Sequence, residues 1–167
     1  MRNTVKSVIV LIIAISVNIA DLAAQQRENA GNYPTESECM GIELDGSVTL
    51  KAWGTGRNRF DAVAQAKKNA VRDVLFKGIL KGSQECNPRP LIAEVNADTK
   101  YEDYFFKFFS DKIGTYKEFI SARDERLDYT ILRERKGGDK TSTYSVVVRV
   151  LRLELRQKLI ADGIITK

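Results

Sequence analysis

Between Ser47 and Thr55 apolar and polar positions alternate, with Val48, Leu50 and Ala52 on one face and Thr49, Lys51 and Trp53 on the other. A period of two predicts a β-strand with one buried face and one mostly wet face. At Gly54-Thr55-Gly56 the pattern changes, and these glycines suit a sharp turn from strand to helix. Beyond it Phe60, Val63, Ala70, Val71, Val74 and Leu75 recur at three- and four-residue spacing, the stripe of a long amphipathic helix. Asn58 is the expected N-cap, with Asp61 three residues on. Ala62, Ala64, Ala66 and Ala70 add small side chains that let such a helix lie close against a sheet. Gly78, Gly82 and the run Cys86-Asn87-Pro88-Arg89-Pro90 mark its end.

A second helix is predicted from Asn96 or Asp98 to about Asp111. It carries Tyr101, Tyr104, Phe105, Phe106, Phe108 and Phe109. That many aromatics exceed one apolar stripe, so either both sides of the helix are buried or part of the cluster is exposed. Gly114 ends it, and Tyr116 to Ala122 reads as an extended lead into the last sheet elements. Leu127, Tyr129 and Ile131 alternate, Lys136-Gly137-Gly138-Asp139 turns, and Tyr144, Val146, Val148 and Val150 alternate again, a strong hairpin pattern. Leu151, Leu155, Leu159 and Ile160 suit a short closing helix stopped at Gly163. The order strand, helix, helix, strand, strand, helix predicts an α+β fold. It would be a two-layer sandwich in which a small, mainly antiparallel sheet of about three strands is packed by the long helix.

The N-terminus changes the picture. Arg2 and Lys6, then the apolar run from Val8 to Val17, then Leu22-Ala23-Ala24 have the layout of a cleavable secretory signal over residues 1–24. The apolar run of about ten residues is half of what a membrane span needs. Residues 25–46 read as an irregular N-terminal arm and residues 47–163 as one domain. An exported, soluble, periplasmic or secreted protein is expected, with no membrane span once the signal is cut. The whole chain holds 27 Lys+Arg and 22 Asp+Glu. Loss of Arg2, Lys6 and Asp21 with the signal would leave 25 and 21, a modest excess of positive charge.

Two cysteines suit an oxidising compartment. Cys39 and Cys86 would tie the arm to the end of the long helix, the alternative being two separate thiols. The 167 residues contain no histidine. Two cysteines without histidine make a poor metal site, and neither a serine nor a cysteine has a recognisable catalytic base. No cofactor, metal or catalytic residue is therefore assigned.

Three candidate sites remain. Gly54, Gly56 and Arg57 stand where a phosphate loop could precede a helix, although Arg59 occupies the position of the third glycine of a dinucleotide fingerprint. Arg133, Arg135, Lys136, Lys140, Arg149, Arg152, Arg156 and Lys158 could form a basic face, but acidic residues are interleaved with them. The aromatic helix, with Tyr101, Tyr104, Phe105 and Phe108, is the expected contact surface for another envelope protein or a second copy. Nucleic acid is not an expected partner.

The strand with its glycines, the helix Arg59-Phe60-Asp61-Ala62 with Ala66, Asn69-Ala70 and Val74, and the valine-rich strand Tyr144 to Val150 followed by Leu155 and Leu159 resemble the LPP-type outer-membrane lipoprotein domain. They also resemble the N-terminal domain of flagellar assembly protein T. The resemblance covers roughly residues 47–162. It implies a small envelope domain that works by protein contact without catalysis. The lipoprotein cysteine of that family is absent here, and the aromatic helix is an addition to its pattern. The competing expectation is a small-molecule- or polyanion-binding protein, or an enzyme, using the Gly54–Gly56 turn and nearby arginines.

Overall fold

The computed structural model describes residues 36–86, 89–136 and 139–166. The expected signal, the first part of the arm, Asn87-Pro88 and the Gly137-Gly138 turn lie outside the described residues. The elements are β1 (Glu38–Ile42), β2 (Val48–Gly56), α1 (Arg59–Arg72), a π-helical turn (Asp73–Lys77), β3 (Lys81–Gly82), α2 (Ala97–Lys100), α3 (Glu102–Phe108), a 3-10 turn (Thr115–Phe119), β4 (Ile120–Lys136), β5 (Asp139–Val150) and α4 (Arg152–Ala161).

The fold is α+β, with a larger sheet than expected. Five strands lie in the order β3-β1-β2-β5-β4, not three, and the sheet is mixed because β3 runs parallel to β1. The two extra strands come from stretches too short to show a period. β1 sits inside the expected arm and β3 is two residues long. Gly82 makes the second possible: a Cβ there would collide with the Cys39 backbone, so only a glycine brings the two strands within pairing distance. The disulfide Cys39–Cys86, with Cα atoms 6.1 Å apart, closes the same corner.

β2 pairs antiparallel with β5 along its whole length, from Val48↔Val150 to Gly56↔Ser142. This register stacks Val48, Leu50 and Ala52 beside Val150, Val148 and Val146, all buried, and α1 crosses that face. The opposite face departs from the expected wet surface, since Trp53, Thr143, Ser145 and Val147 are buried too. Lys51 reaches over the indole of Trp53, and the hydroxyls of Thr55 and Thr143 hydrogen-bond across the strands at 2.8 Å.

α1 begins as its sequence indicates. The Asn58 side chain accepts the Asp61 backbone N–H at 3.0 Å and donates to the Asp61 carboxylate at 2.9 Å. Its sheet-facing residues are Ala62, Ala66, Ala70 and Val71. Phe60 and Val63, expected on that stripe, are not among them; Phe60 is 85% exposed. The cause is Gly54. A Cβ there would overlap the backbone of Ala62 and Ala66, so the bare strand and the alanine row let the helix approach until large side chains no longer fit between them. Asn69 fastens the contact by donating to the Trp53 carbonyl at 2.7 Å. At the far end the helix widens into the π turn, and the carbonyls of Val74 and Leu75 accept the N–H groups of Leu91 and Ile92.

The predicted aromatic helix is split into α2 and α3 at Tyr101. The extended lead before β4 is in part a 3-10 turn. The hairpin forms as expected but is longer, and β4 carries irregularities between Ser121 and Arg126 and between Asp128 and Leu132. Tyr116, Phe105, Phe108, Phe109, Phe119, Leu155 and Leu159 complete the core around α1.

Candidate functional site

With its alanine row committed to the sheet, α1 leaves two flanks, and each borders a groove. On the first, Phe76 meets Phe105 edge to face at 4.8 Å, and Phe105 and Phe109 stack at 6.4 Å. The Arg72 guanidinium lies over two of these rings, 5.4 Å from Phe109 and 5.9 Å from Phe76. Such cation–π contacts hold an arginine flat on aromatic carbon while its N–H edge stays available. Among the described residues Arg72 has no ion pair. Lys68 is spent on Asp111 at 2.6 Å, and that hydrogen bond keeps the Asp111 carboxyl below its usual range. The groove so framed measures about 720 Å³ and has Phe106 on its rim. A neighbouring hollow of about 340 Å³ shares Arg72, Phe76 and Asp98 with it.

Within the expected contact surface, Phe105 and Phe108 are buried in the core and are not available to a partner. Tyr101 and Tyr104 are half-buried. The Tyr104 hydroxyl donates to Asp162 at 2.6 Å, joining α3 to the end of α4; burial, then the Asp162 carboxylate, push its ionisation well above the usual phenol range. The exposed ring is Phe106, at 80%. The signal for this was present in the spacing. Positions 101, 104, 105, 108 and 109 are i, i+3, i+4, i+7 and i+8, the pattern of an inward stripe, and Phe106 is the aromatic left off it.

The second flank carries a groove of about 590 Å³ between Phe60, Val63 and Lys67 of α1 and Tyr116, Lys117 and Ile120 opposite. Lys67 is paired with Glu125 at 2.7 Å, and Lys117 donates to the Asp111 carbonyl at 2.7 Å. Arg59 and Phe60 project here. Gly54, Gly56 and Arg57 do not make a loop around an anion. Both glycines lie within β2, where they admit the α1 backbone, and Asn58 takes the donor at Asp61 that an anion would use. Arg57 is exposed, 3.8 Å from Asp61.

The basic residues of the C-terminal third do not form one face. Arg149 is held by Asp45 and Ser47 at the turn after β1, Arg152 donates to the Arg89 carbonyl at 2.9 Å, and Lys158 pairs with Asp162 at 2.8 Å. Arg133, Arg135, Lys136 and Lys140 belong to the other end of the sheet, where β4 and β5 run on past the end of β2.

Among the described residues there is no group of three or more His, Cys, Asp and Glu side chains placed to hold a metal ion, and no helix is long and apolar enough to cross a membrane. No protein-family model, curated protein or solved structure matches the chain.

Proposed function

We propose that this chain is a non-catalytic envelope domain, exported through its N-terminal signal, that works by holding another envelope protein in the groove between α1 and α3. The reading is that of the LPP-type and flagellar-assembly-type domains its pattern resembles. One observation carries it: Phe106 stands almost fully exposed on the rim of an aromatic-floored groove whose arginine is stacked on the rings and has no ion pair among the described residues. Exposed aromatics beside stacked arginine are the composition of binding hot spots, and an apolar patch of this kind on a folded domain marks a contact. The Cys39–Cys86 disulfide agrees with an oxidising destination.

The test places a photoreactive benzoylphenylalanine at position 106 in cells that export the protein. A single adduct of defined mass, lost when Arg72→Glu is added and absent when the probe sits at exposed Glu118, is the expected result. Equal adducts from both positions, or none from 106, would overturn the assignment. An adduct of twice the chain mass would identify a second copy as the partner.

A further inference from the structure

The groove beside Phe106 is walled by two short rows. On one side Lys68, Arg72 and Phe76 follow at four-residue spacing along α1 and into the π turn; on the other Glu102 and Phe106, also four apart, share the outward face of α3. Three cations and three carboxylates line it: Lys68, Arg72 and Lys112 against Asp98, Glu102 and Asp111. Lys68 and Asp111 take each other at 2.6 Å. That leaves Arg72 and Lys112 against Asp98 and Glu102, all four exposed and none in an ion pair among the described residues. Arg72 is held on the rings of Phe76 and Phe109, whereas Asp98 and Glu102 belong to α2 and α3. The patch is therefore neutral in sum, with its opposite charges kept on separate elements around one exposed aromatic ring.

We propose that the occupant of this groove is a second copy of the chain, docked about a two-fold axis so that Arg72 of one protomer meets the partner's Glu102 and Phe106 of each enters the groove of the other. The inference rests on the contact reading above and names the partner. Charge complementarity decides it. An acidic segment entering the groove meets Asp98 and Glu102, and a basic one meets Arg72 and Lys112; like charges brought together in a contact oppose it strongly. A two-fold contact uses one patch twice, so that patch must carry each charge together with its opposite. This one does, and turning it onto itself sets the α1 cation against the α3 carboxylate at two equivalent places. Phe106 supplies the apolar centre, and aromatic and arginine side chains are those that such contacts favour.

Sedimentation velocity of the full chain over a dilution series should show a reversible dimer. Arg72→Glu and Glu102→Arg should each weaken it about tenfold or more, because each sets like charges opposite one another twice over. An equimolar mixture of the two variants should dimerise like the parent, since opposite charges then face each other at both contacts. Phe106→Ser should weaken the dimer in the parent and in the mixture alike. Arg72 and Glu102 are exposed, so circular dichroism should show both variants folded, and damage from losing the Arg72 stack would not be repaired by mixing. All chains carry the same N-terminus, so association through residues 8–17 is common to them and cancels in the comparison. A monomeric parent, single variants that dimerise like the parent, or a mixture no better than either variant alone would overturn the proposal. A monomeric parent whose photoreactive probe at position 106 still yields one defined adduct overturns the second copy and keeps the groove as a contact surface; absence of any adduct removes the groove itself.

Discussion

Gly54 shows how much one missing side chain decides. It is buried in β2 beneath α1, and any Cβ would meet the backbone of Ala62 and Ala66, which cannot rotate away. Gly54→Ala should therefore force the helix off the sheet and cost on the order of 1–3 kcal/mol, as overpacking does. Gly41→Ala, with open space around the new methyl, should cost little; urea midpoints of the two variants make the comparison. Asp73 is the corresponding polar position. Its buried carboxylate accepts the backbone N–H and hydroxyl of Ser37 at 2.9 and 2.8 Å and lies 3.5 Å from the Lys77 ammonium. Asp73→Ala leaves two buried donors of Ser37 unmatched, which costs about 1–3 kcal/mol. Ser37→Ala removes donor and need together at the side chain and should cost less, a ranking the same urea experiment reads.

Among the elements, β1 has the least support from its own sequence. It is five residues with a bulge between Cys39 and Gly41, paired on one side with β2 and on the other with only the two residues of β3. The disulfide compensates by closing the chain across 47 positions, which on a chain-entropy account stabilises the fold by about 4 kcal/mol. Cys39→Ala with Cys86→Ala should lower the thermal midpoint markedly, and hydrogen exchange should show the loss concentrated in Glu38–Ile42 and Lys81–Gly82 while α1 stays protected. The same elements explain what could be read beforehand. β2, α1, the β4–β5 hairpin and α4 follow clear periods of two or near 3.6, and each was legible because its own residues carry the pattern. β1 and β3 were not, because their partners specify them: a glycine facing a backbone and a disulfide leave no periodic trace. The site was legible in part. The residues picked from the aromatic segment, Tyr101, Tyr104, Phe105 and Phe108, have inward spacing; Phe106, off that stripe, is the exposed ring and could have been read from the same spacing, whereas the exposure of Phe60 appears only once Gly54 is seen to bring α1 down onto its alanine row.

Over the whole molecule, carboxylates fasten parts of the chain that are distant in sequence, and this makes stability depend on acid. Asp45, beside the β1–β2 turn, accepts the hydroxyl and backbone N–H of Ser47 and pairs with Arg149 of β5; these contacts hold its carboxyl down at about 2, from an ordinary 3.8. Glu36 is lowered by Lys81, and Asp111 by Lys68 of α1. Asp162 is lowered by Lys158 and the Tyr104 hydroxyl, against the upward pull of its own burial. In each the folded value lies below the unfolded one, so the folded state binds fewer protons than the unfolded state as the medium turns acid. The stabilisation is complete above the unfolded value near 4 and is lost as the pH falls toward about 2. Urea midpoints should accordingly be flat from neutral pH to about 5 and then decline. Asp45→Asn should start lower at neutral pH and decline less steeply below 4, so that the two curves converge near pH 2. Parallel curves would mean that the Asp45 contacts do not persist in solution.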